Sequence, residues 1–566
     1  MKWSYKTILC LSIMGMVTSS CDKQDFVEIN KDPDALSTVP PENQLLNATI
    51  GLHGQDFEAF YDTYRRIMPW MQYNTELSGN VLGFTGNVDN FPQRYGRFYN
   101  GVGNALYDLE KLVERLPDTE QPKYVHMIRM ARVLRSYYAF YVSDIFGSIP
   151  YSDAFQGRYG GTLTPKYDTQ QELFNQLDAD LKEAITTLKA TQTAVQVSPA
   201  AYDQYFGGNA TRWVKAANAL RLKIATRLIK RDAAKARSIA QEVLATPADL
   251  MSSNADGWVF VGRFDFTSGG NWNPDGLRAT KPMVDFMWNT RDPRIDAFFT
   301  PNRYSQANIN ALIAATPRQL PAGTTENPRR YVGSFTSPDE SQNVANRRAF
   351  YTPRTVAISG QQVSVDTLSN IQPRLFQPAF NSGNGVGDGL SYLPVITYSD
   401  FCFMRAELAA RTITSEPAKD WYDAGVTSSI QWFDEVARGS KIDNYTPLAA
   451  GEIAAYLARP EVAFNPAKAI DQIACQAYIS YFNRVNEGWA IWKRTGFPNA
   501  TSTLALPDMR SSGAILVVPR RAPLGLLVTS DPNYANKKSA YDAMAAIPGW
   551  GREPQDASGR VWWDQQ

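Results

Sequence analysis

The chain is poor in the side chains from which metal centres and acid–base sites are most often built. It has only two histidines, His53 and His126, and neither has a histidine or cysteine neighbour at ligand spacing. Of the four cysteines, only Cys402 and Cys475 lie beyond residue 21. A histidine-based metal site, a histidine general base and a disulfide scaffold are therefore not expected. Two buried free thiols are the simplest interpretation of Cys402 and Cys475, although an oxidising compartment would also allow them to pair.

The chain also lacks a surplus of charge and recognisable enzyme motifs. Its formal net charge is +1, and it is −1 without the first 20 residues, which hold Lys2 and Lys6 and no acid. A basic surface for nucleic acid is therefore absent. There is no P-loop, no Rossmann glycine pattern, no Gly-x-Ser-x-Gly elbow and no His-Glu-x-x-His. We therefore predict no catalytic residue, no cofactor and no metal, and expect a protein that is not an enzyme.

One apolar run is present, at the very start of the chain. Lys2 and Lys6 precede a short apolar run, and small residues follow it directly before Cys21. This pattern is typical of an export signal whose apolar core is too short to span a bilayer as a permanent helix. Cleavage before Cys21 and acylation of that cysteine would make a lipoprotein, held on the membrane by several acyl chains. The alternatives are a plain secretory signal with a chance cysteine and, less in keeping with the flanks, a cytoplasmic core segment. No later run of about 20 apolar residues exists, so nothing beyond Cys21 is expected to span a membrane.

Helical periodicity dominates two parts of the chain. From Gln121 onward, apolar residues recur at spacings of three and four, which predicts amphipathic helices between Gln121 and Leu244 and again between Ser399 and Arg494. Thr169 and Glu172 match a capping box, and Gly147 suits a helix end. Short connections between successive apolar stripes favour antiparallel helix pairs that stack like tetratricopeptide units. Such stacking forms an α-α superhelix. The basic residues between Arg212 and Arg227 predict a solvated or salt-bridged face.

The remaining parts of the chain lack regular periodicity and are rich in aromatic residues. Residues 79–103 predict a long surface loop, and residues 257–398 predict an irregular, loop-rich insertion with short strands such as Gln361 to Asp366. We expect a signal peptide at 1–20, an anchor and tether at 21–40, and one helical domain at 41–566 that contains this insertion. The adjacent Trp562 and Trp563 indicate that the C-terminal segment packs onto the body.

An ordered set of short motifs resembles a known family. The set includes Asn30-Lys-Asp-Pro-Asp, Ser143-Asp-Ile-Phe-Gly-Ser-Ile-Pro-Tyr, the helix from Trp213 to Ala225, Glu487-Gly-Trp-Ala-Ile-Trp-Lys-Arg and the closing Trp562-Trp-Asp. Together they resemble the SusD/RagB-like nutrient-binding outer-membrane lipoproteins of the Bacteroidetes, in the SusD-like 2 branch. The chain departs from the pattern after Pro519-Arg-Arg521, where Ala522-Pro-Leu-Gly525 stands instead of a Tyr-Pro and an acid.

The resemblance implies a fold, a location and a partner. It implies four tetratricopeptide-like helix pairs with an irregular ligand-binding part, anchored by lipid at the outer membrane and exposed on the cell surface. It implies capture of a glycan, or sometimes a peptide, and delivery to a SusC-like TonB-dependent transporter. Two other classes stay open: a helical-repeat scaffold that binds only proteins, and an all-helical glycan hydrolase. The ligand, the transporter and the binding residues are not implied by any matched motif.

A ligand site is expected where the ring-rich irregular stretches meet, within residues 70–99 and 258–288. Sugar recognition needs exposed rings that face the sugar, together with amide and guanidinium groups for its hydroxyls. Loops on a rigid scaffold commonly carry such residues. The alternative is that these rings only hold long loops onto the body. The proposed platforms are Trp70, Tyr73 and Trp272, and the proposed hydrogen-bonding residues are Asn74, Asn87, Arg94 and Asn273.

Overall fold

The computed structural model of the protein describes residues 39–53, 58–84, 93–262, 277–376 and 389–565. Helices dominate these ranges and the strands are short, which confirms the predicted mainly α class with tetratricopeptide-like helix pairs. The predicted signal peptide and anchoring Cys21 lie outside the described residues. The boundaries near residues 20 and 40, the single domain and the limits of the insertion therefore stay predictions.

The described residues of the first half of the chain are mainly helical. Its first part also holds two π-helical segments, Glu58–Ile67 and Phe98–Val102. Its α-helices are α1 (Pro41–His53), α2 (Met68–Trp70), α3 (Val81–Phe84), α4 (Gln93–Arg97), α5 (Gly103–Glu114), α6 (Val125–Phe146), α7 (Gln170–Lys189), α8 (Ala210–Leu228) and α9 (Ala233–Leu244).

The second half mixes short elements with long helices. Its strands are β1 (Trp258–Gly262), β2 (Arg354–Ile358), β3 (Gln361–Val365), β4 (Ser391–Ile396), β5 (Arg510–Ser511) and β6 (Ala514–Ile515). Its α-helices are α10 (Lys281–Thr290), α11 (Ile295–Phe298), α12 (Gln306–Ala314), α13 (Pro338–Ser341), α14 (Val344–Phe350), α15 (Pro373–Phe376), α16 (Tyr398–Ala410), α17 (Ala418–Gly439), α18 (Glu452–Leu457), α19 (Ala469–Ser480), α20 (Val485–Thr495) and α21 (Tyr534–Ala545).

The stretch 79–103 differs from its prediction as a surface loop. Among its described residues, α3, α4 and a π-helical segment take up most of the chain, and Arg94, Phe98 and Val102 are buried. The helical path continues from Gln93 to Glu114, because α4, the π segment and α5 follow one another without a break. Of the glycines and asparagines that suggested a loop, Gly83, Gly96, Asn100, Gly101 and Gly103 are therefore part of helices.

Helices α6 and α7 follow the sequence pattern closely. The stripe of α6 faces the core, and Gly147 ends the helix with a φ of 77°, a value that few other residues adopt without strain. In α7 the Thr169 hydroxyl accepts from the backbone N–H of Glu172, and the Glu172 carboxylate accepts from the backbone N–H of Thr169. This is the predicted capping box.

The long helices pack in sequence order. Helix α5 packs against α1 and α6, α7 against α6 and α8, and α9 against α8. In the second half, α16 packs against α17 and α19, and α20 against α19. Helix α8 also packs against α16, so it joins the two groups. Successive antiparallel pairs of this kind are the predicted superhelical arrangement.

Within the second helical part, the apolar stripe from Pro466 to Arg494 predicts one long helix, but the structure divides it in two. Helix α19 ends at Ser480 and α20 begins at Val485. Between them, Arg484 leaves helical geometry with a φ of −140°, and its guanidinium forms an ion pair with the carboxylate of Asp400 at the start of α16. The prediction of one helix was wrong because this ion pair, between residues distant in sequence, fixes a turn. The spacing of apolar residues gives no sign of that turn.

The insertion is irregular, as predicted, and contains two small antiparallel sheets. Strand β1 pairs with β4, and β2 pairs with β3, so the predicted strand from Gln361 is confirmed. A third antiparallel pair, β5 and β6, lies further along the chain. Isolated bridges join Arg278 to both Thr75 and Asn370, and Phe299 to Ile371. These bridges hold segments that are distant in sequence side by side.

The basic face of α8 is salt-bridged, as one of the two alternatives predicted, and its later part is buried rather than solvated. Arg221, Lys223 and Arg227 are all buried. Lys223 and Arg227 both bind the buried carboxylate of Glu487 in α20, at 3.0 and 3.1 Å, and Arg227 also binds Asp144 at 2.8 Å. The two basic residues and two acids link α6, α8 and α20. Buried charges are tolerated when they are paired in this way.

The C-terminal segment packs onto the body, as the two tryptophans indicated. Trp563 is buried, its indole N–H donates to the carbonyl oxygen of Asp144, and its backbone N–H donates to Gln170. The two body cysteines, Cys402 and Cys475, are free and buried, which confirms the simpler interpretation. Within the described ranges, no helix is long and apolar enough to cross a membrane.

Candidate functional site

Two of the rings expected to stack on a sugar lie in the interior. The indole of Trp70 is 3% exposed, donates to the carbonyl oxygen of Gly83 at 2.7 Å, and packs against Trp489. Tyr73 is fully buried, stacks on Tyr478 with ring centres 4.2 Å apart, and donates to the carbonyl oxygen of the same residue. The expectation that Trp70 and Tyr73 present exposed faces is therefore wrong.

The polar residues of that first stretch are also internal. Asn74 is 4% exposed and Arg94 is 1% exposed. The Arg94 guanidinium lies 3.8 Å from the centre of the Tyr141 ring and within 3.9 Å of carboxylate oxygens of Glu58 and Asp62. Neither side chain is available to a ligand in this arrangement. The other expected site residues, Asn87, Trp272 and Asn273, lie outside the described residues, so their roles stay predictions.

A large cavity lies instead in the irregular insertion. It has a volume of about 490 Å³ and is bounded by the segments around Arg278, Phe299, Tyr331, Asp366 and Tyr445. We call it the insertion cavity. This volume lies within the usual range for small-molecule sites. Its charged and hydrogen-bonding lining residues are Arg278, Asp296, Thr300, Arg303, Tyr331, Ser364, Asp366, Asn370, Gln372, Arg374, Asp443, Asn444 and Tyr445.

Arg278 anchors one wall of the insertion cavity. Its backbone pairs with Thr75 on one side and Asn370 on the other, which fixes the direction of the chain. Its guanidinium donates to the amide oxygen of Asn370 at 2.6 Å and pairs with the carboxylate of Asp366 at 2.7 Å. The second carboxylate oxygen of Asp366 accepts from the backbone N–H of Leu368. Guanidinium, amide and carboxylate are thus held in one fixed group.

Two half-buried tyrosines also line the insertion cavity. The Tyr331 hydroxyl donates to Asp296 at 2.6 Å, and its ring lies 6.3 Å from that of Trp288. The Tyr445 hydroxyl donates to Asp434 at 3.1 Å. Burial first, and then the neighbouring carboxylate, raises the pKa of each tyrosine above its usual value. Both hydroxyls therefore stay protonated at physiological pH.

The charges of the insertion cavity balance. Three arginines, at 278, 303 and 374, stand with three aspartates, at 296, 366 and 443. Arg374 pairs with Asp443 at 3.7 Å, and Arg303 donates to the carbonyl oxygen of Ser364. Among the described residues, no group of histidine, cysteine and carboxylate side chains could hold a metal ion. The arrangement suits a neutral ligand that carries many hydrogen-bonding groups.

The sequence pattern predicted only a small part of this cavity. Arg278 lies within the expected stretch 258–288, whereas most of the other lining residues lie in the part of the insertion that was predicted only as irregular, and Asp443 to Tyr445 come from the turn after α17. The lining residues are separated by up to 167 positions, from Arg278 to Tyr445. The only local signal was the density of arginine, aspartate and asparagine in a segment without helical stripes.

The fold is that of a mainly α binding scaffold: paired helices support an irregular part that contains a polar cavity. The family model described as "Starch-binding associating with outer membrane" matches residues 33–522, and the chain belongs to this SusD-like 2 family. No curated protein matches the chain in sequence.

Solved structures share the fold. A protein named as chitin-binding is 22% identical, with a TM-score of 0.68 over 93% of this chain and 100% of its own. A chitin-binding SusD homologue from Flavobacterium johnsoniae is 20% identical, with a TM-score of 0.62 over 93% and 98% of the two chains. A SusD homologue from Bacteroides fragilis is 18% identical, with a TM-score of 0.64 over 93% and 100%. At these identities the likeness establishes the fold alone.

Proposed function

We propose that the protein is a cell-surface lipoprotein that captures an oligosaccharide and delivers it to a SusC-like TonB-dependent transporter. The family description names starch binding and association with the outer membrane, and two structural relatives are named as chitin-binding. A candidate lipidation site, Cys21, follows the export signal. These observations support a binding role at the outer membrane rather than a catalytic one.

The insertion cavity is the observation that carries the proposal. A sugar offers hydroxyls that both donate and accept, and a ring face of C–H groups. The cavity offers donors from Arg278, acceptors from Asp366, and the edges or faces of Tyr331 and Tyr445. Because the cavity holds as many arginines as aspartates, and Arg278 and Arg374 are each paired with an aspartate, it suits a neutral glycan better than an ion.

The residues expected from sequence on the neighbouring segment belong to the same proposal. Trp272 and Asn273 precede Arg278 by only a few positions in the chain. We propose that they contribute to the same ligand site, with Trp272 as a stacking ring and Asn273 as a hydrogen-bonding group. Asn87 stays a separate prediction. Replacing Trp272 by Ala should weaken binding by roughly five- to tenfold if its ring stacks on the sugar.

The test is calorimetric titration of the mature chain with maltohexaose, chitohexaose and a mixture of short peptides. We expect one of the two glycans to bind, and Tyr331→Ala to weaken it by roughly five- to tenfold. The matched control is Tyr534→Ala, which removes a tyrosine outside the insertion cavity and should leave binding unchanged. Binding of peptides alone would replace the glycan by a peptide ligand, and shortened glycan products would indicate a hydrolase.

The transporter is tested separately. Recovery of the tagged mature chain in mild detergent should bring a TonB-dependent barrel with it. Recovery of the chain without any barrel, under conditions that keep known outer-membrane complexes intact, would contradict delivery to a transporter. It would favour the alternative of a scaffold only if another protein were recovered in its place.

A further inference from the structure

One buried side-chain amide of the insertion cavity has no partner within the protein. Gln372 lines the cavity and is 7% exposed, and among the described residues its side chain forms no hydrogen bond. Its backbone is held in place, since the backbone N–H donates to the carbonyl oxygen of Phe298 at 2.8 Å. A buried amide that has lost water without gaining a partner costs free energy, so most buried polar side chains have at least one partner. Nothing in the described fold uses the amide at position 372.

The direction of the Gln372 side chain follows from the segment that carries it. Residues 370–372 are extended, because Asn370 pairs with Arg278 and Ile371 pairs with Phe299. Side chains alternate along an extended segment, so those of Asn370 and Gln372 lie on one face and that of Ile371 on the other. Asn370 and Gln372 both line the cavity, whereas Ile371 is fully buried on the opposite face. The side chain of Gln372 therefore points into the insertion cavity.

The charged groups that line the insertion cavity differ from Gln372, because each of them is already engaged. Each of the three arginines and three aspartates has a hydrogen-bond or ion-pair partner among the described residues. The hydroxyls of Tyr331 and Tyr445 likewise donate to carboxylates. A ligand that used one of these groups would share or break an existing bond, whereas Gln372 offers unused donors and an unused acceptor. The buried hydrogen-bonding capacity that is left for a ligand is therefore concentrated at Gln372.

A second amide lies at the rim of the same cavity. Asn444 is exposed, and in the described part of the chain its side chain forms no hydrogen bond. Its φ is 58°, a backbone conformation that asparagine and glycine adopt more readily than other residues. Water can satisfy an exposed amide, so Asn444 by itself would not indicate a ligand. Together with the buried Gln372, it gives the cavity one free amide in the interior and one at the surface.

We propose that Gln372 is the specificity-determining residue of the insertion cavity: its amide hydrogen-bonds one hydroxyl of the bound glycan in the interior, while Asn444 bonds another at the rim. The proposal rests on the glycan-binding function proposed above and deepens it. An amide both donates and accepts, so it matches a hydroxyl in either orientation. A ligand without the matching hydroxyl leaves the buried amide unpaired, and such mismatches are strongly rejected. The charged group of Arg278, Asn370 and Asp366 then serves mainly to hold the cavity wall.

The test is calorimetric titration of the mature chain with maltohexaose and chitohexaose, together with thermal melting. Gln372→Met replaces the amide by an unbranched apolar side chain of similar length. We expect this variant to melt at the same temperature as the wild type or higher, because a buried unpaired amide is removed, and to bind the glycan about tenfold more weakly. Asn444→Gly keeps the positive φ and removes the rim amide, and should weaken binding by about threefold. Gln362→Met, an exposed change on β3 outside the cavity lining, is the matched control and should leave binding unchanged.

A second measurement separates a direct contact from an effect on the shape of the cavity. Monodeoxy analogues of the glycan that binds each lack one hydroxyl. One of them should bind the wild type and Gln372→Met with equal affinity, because the same hydrogen bond is missing in both cases. If every analogue kept the full difference between the two proteins, Gln372 would not contact a hydroxyl and the assignment would be wrong.

The failure of this inference can be distinguished from the failure of the proposed function. Glycan binding that Tyr331→Ala weakens and Gln372→Met leaves unchanged would overturn the role of Gln372 while supporting the insertion cavity. A marked fall in the melting temperature of Gln372→Met would show that the fold requires the amide, and would also overturn the inference. Peptide binding alone, weakened by Gln372→Met, would overturn the glycan function but keep Gln372 as the ligand contact. Absence of any binding by the wild type would overturn both proposals.

Discussion

The ammonium group of Lys493 lies 4.9 Å from the centre of the Trp563 ring, which joins α20 to the C-terminal segment. The centre of the Trp489 ring lies 4.1 Å from the same ammonium group. Lys493 is buried, and among the described residues its Nζ has no hydrogen-bond partner. Burial lowers the pKa of Lys493 to about 8, although Asp144 and Asp564 act in the opposite direction. The two rings therefore take the place of hydrogen bonds around a buried cation.

The first prediction concerns the pH dependence of stability. In an unfolded chain the pKa of lysine is about 10.4, so folding lowers it. Below about pH 8 the folded protein bears the cost of the buried charge. Between about pH 8 and pH 10.4 the unfolded state binds the proton more tightly, so this residue makes the free energy of unfolding rise with pH. We expect Lys493→Met to be more stable at pH 7 by up to about 3 kcal/mol, minus the lost ring contacts.

The measurement is urea unfolding of both proteins at several pH values. The advantage of Lys493→Met should shrink steadily from pH 8 to pH 10 as the wild-type lysine becomes neutral. Lys538→Met, an exposed change in α21, is the control and should show no such trend, because its ion pair with Asp542 raises its pKa. A constant difference between Lys493→Met and wild type across this range would contradict the assigned pKa.

The second prediction concerns the buried charges that join α6, α8 and α20. Glu487 binds both Lys223 and Arg227, and these two cations lower its pKa well below the usual value despite the burial. Glu487→Ala would leave two buried cations with Asp144 as the remaining carboxylate. We expect the free energy of unfolding to fall by about 3–5 kcal/mol. In contrast, Glu114→Ala removes only an exposed pair with Lys111 and should cost less than about 1 kcal/mol.

Urea unfolding at pH 7 distinguishes these outcomes. A loss similar to that of Glu114→Ala would mean that water or a rearranged side chain compensates the cations. The apolar replacement Glu487→Met together with Lys223→Met and Arg227→Met is informative as well. Buried ion networks can be exchanged for apolar groups at little cost, so this triple variant should be more stable than Glu487→Ala.

The long helices were predictable because their information is local. The Thr169–Glu172 capping box, the Gly147 helix end and the stripe of α6 depend on residues within a few turns, and each is confirmed. The ends of α19 and α20 were not predictable, since the turn between them depends on Arg484 binding Asp400, 84 positions earlier. The periodicity of apolar residues does not indicate such a long-range ion pair.

The ligand site was harder to predict, for the same physical reason. A tryptophan in a glycine-rich stretch looks exposed, yet Trp70 is covered by Trp489, which is more than 400 positions away. Likewise Tyr73 is covered by Tyr478. Tyr331, which had no distinguishing neighbour in the sequence, lines the cavity because Arg278 pairs with Asn370 and folds the insertion around it. Exposure of a ring outside a periodic element is set by long-range contacts.

The third prediction concerns the lipid anchor. Cys21 directly follows the small residues of the export signal, where acylation would attach the mature chain to the outer membrane. We expect Cys21→Ala either to remain as an uncut precursor or to be released from membranes. Cell fractionation and the mass of the mature chain measure both. Normal processing with unchanged membrane association would show that another feature holds the protein there, and Cys10→Ala, within the signal itself, is the matched control.

The fourth prediction concerns the response of the insertion cavity to salt. Its three arginines and three aspartates balance, and the Arg278–Asp366 pair is held at 2.7 Å with little exposure. A neutral glycan therefore gains hydrogen bonds but no net ionic attraction, and salt screens only the ionic part of an interaction. We expect the affinity for maltohexaose or chitohexaose, whichever binds, to change less than about twofold between about 0.05 M and 0.5 M sodium chloride.

An acidic oligosaccharide should behave differently. Its carboxylate would meet Asp296, Asp366 and Asp443 as well as the arginines, so in wild type it should bind more weakly than the neutral glycan. Asp443→Asn removes the most exposed of these charges, whose side chain is 79% exposed and 3.7 Å from Arg374. This variant should bind an oligogalacturonate more tightly at low salt, with the gain lost at high salt, while its affinity for the neutral glycan stays as in wild type. Calorimetry at the two salt concentrations measures all four values. Tight, strongly salt-dependent binding of the acidic glycan by the wild type would contradict a site built for a neutral ligand.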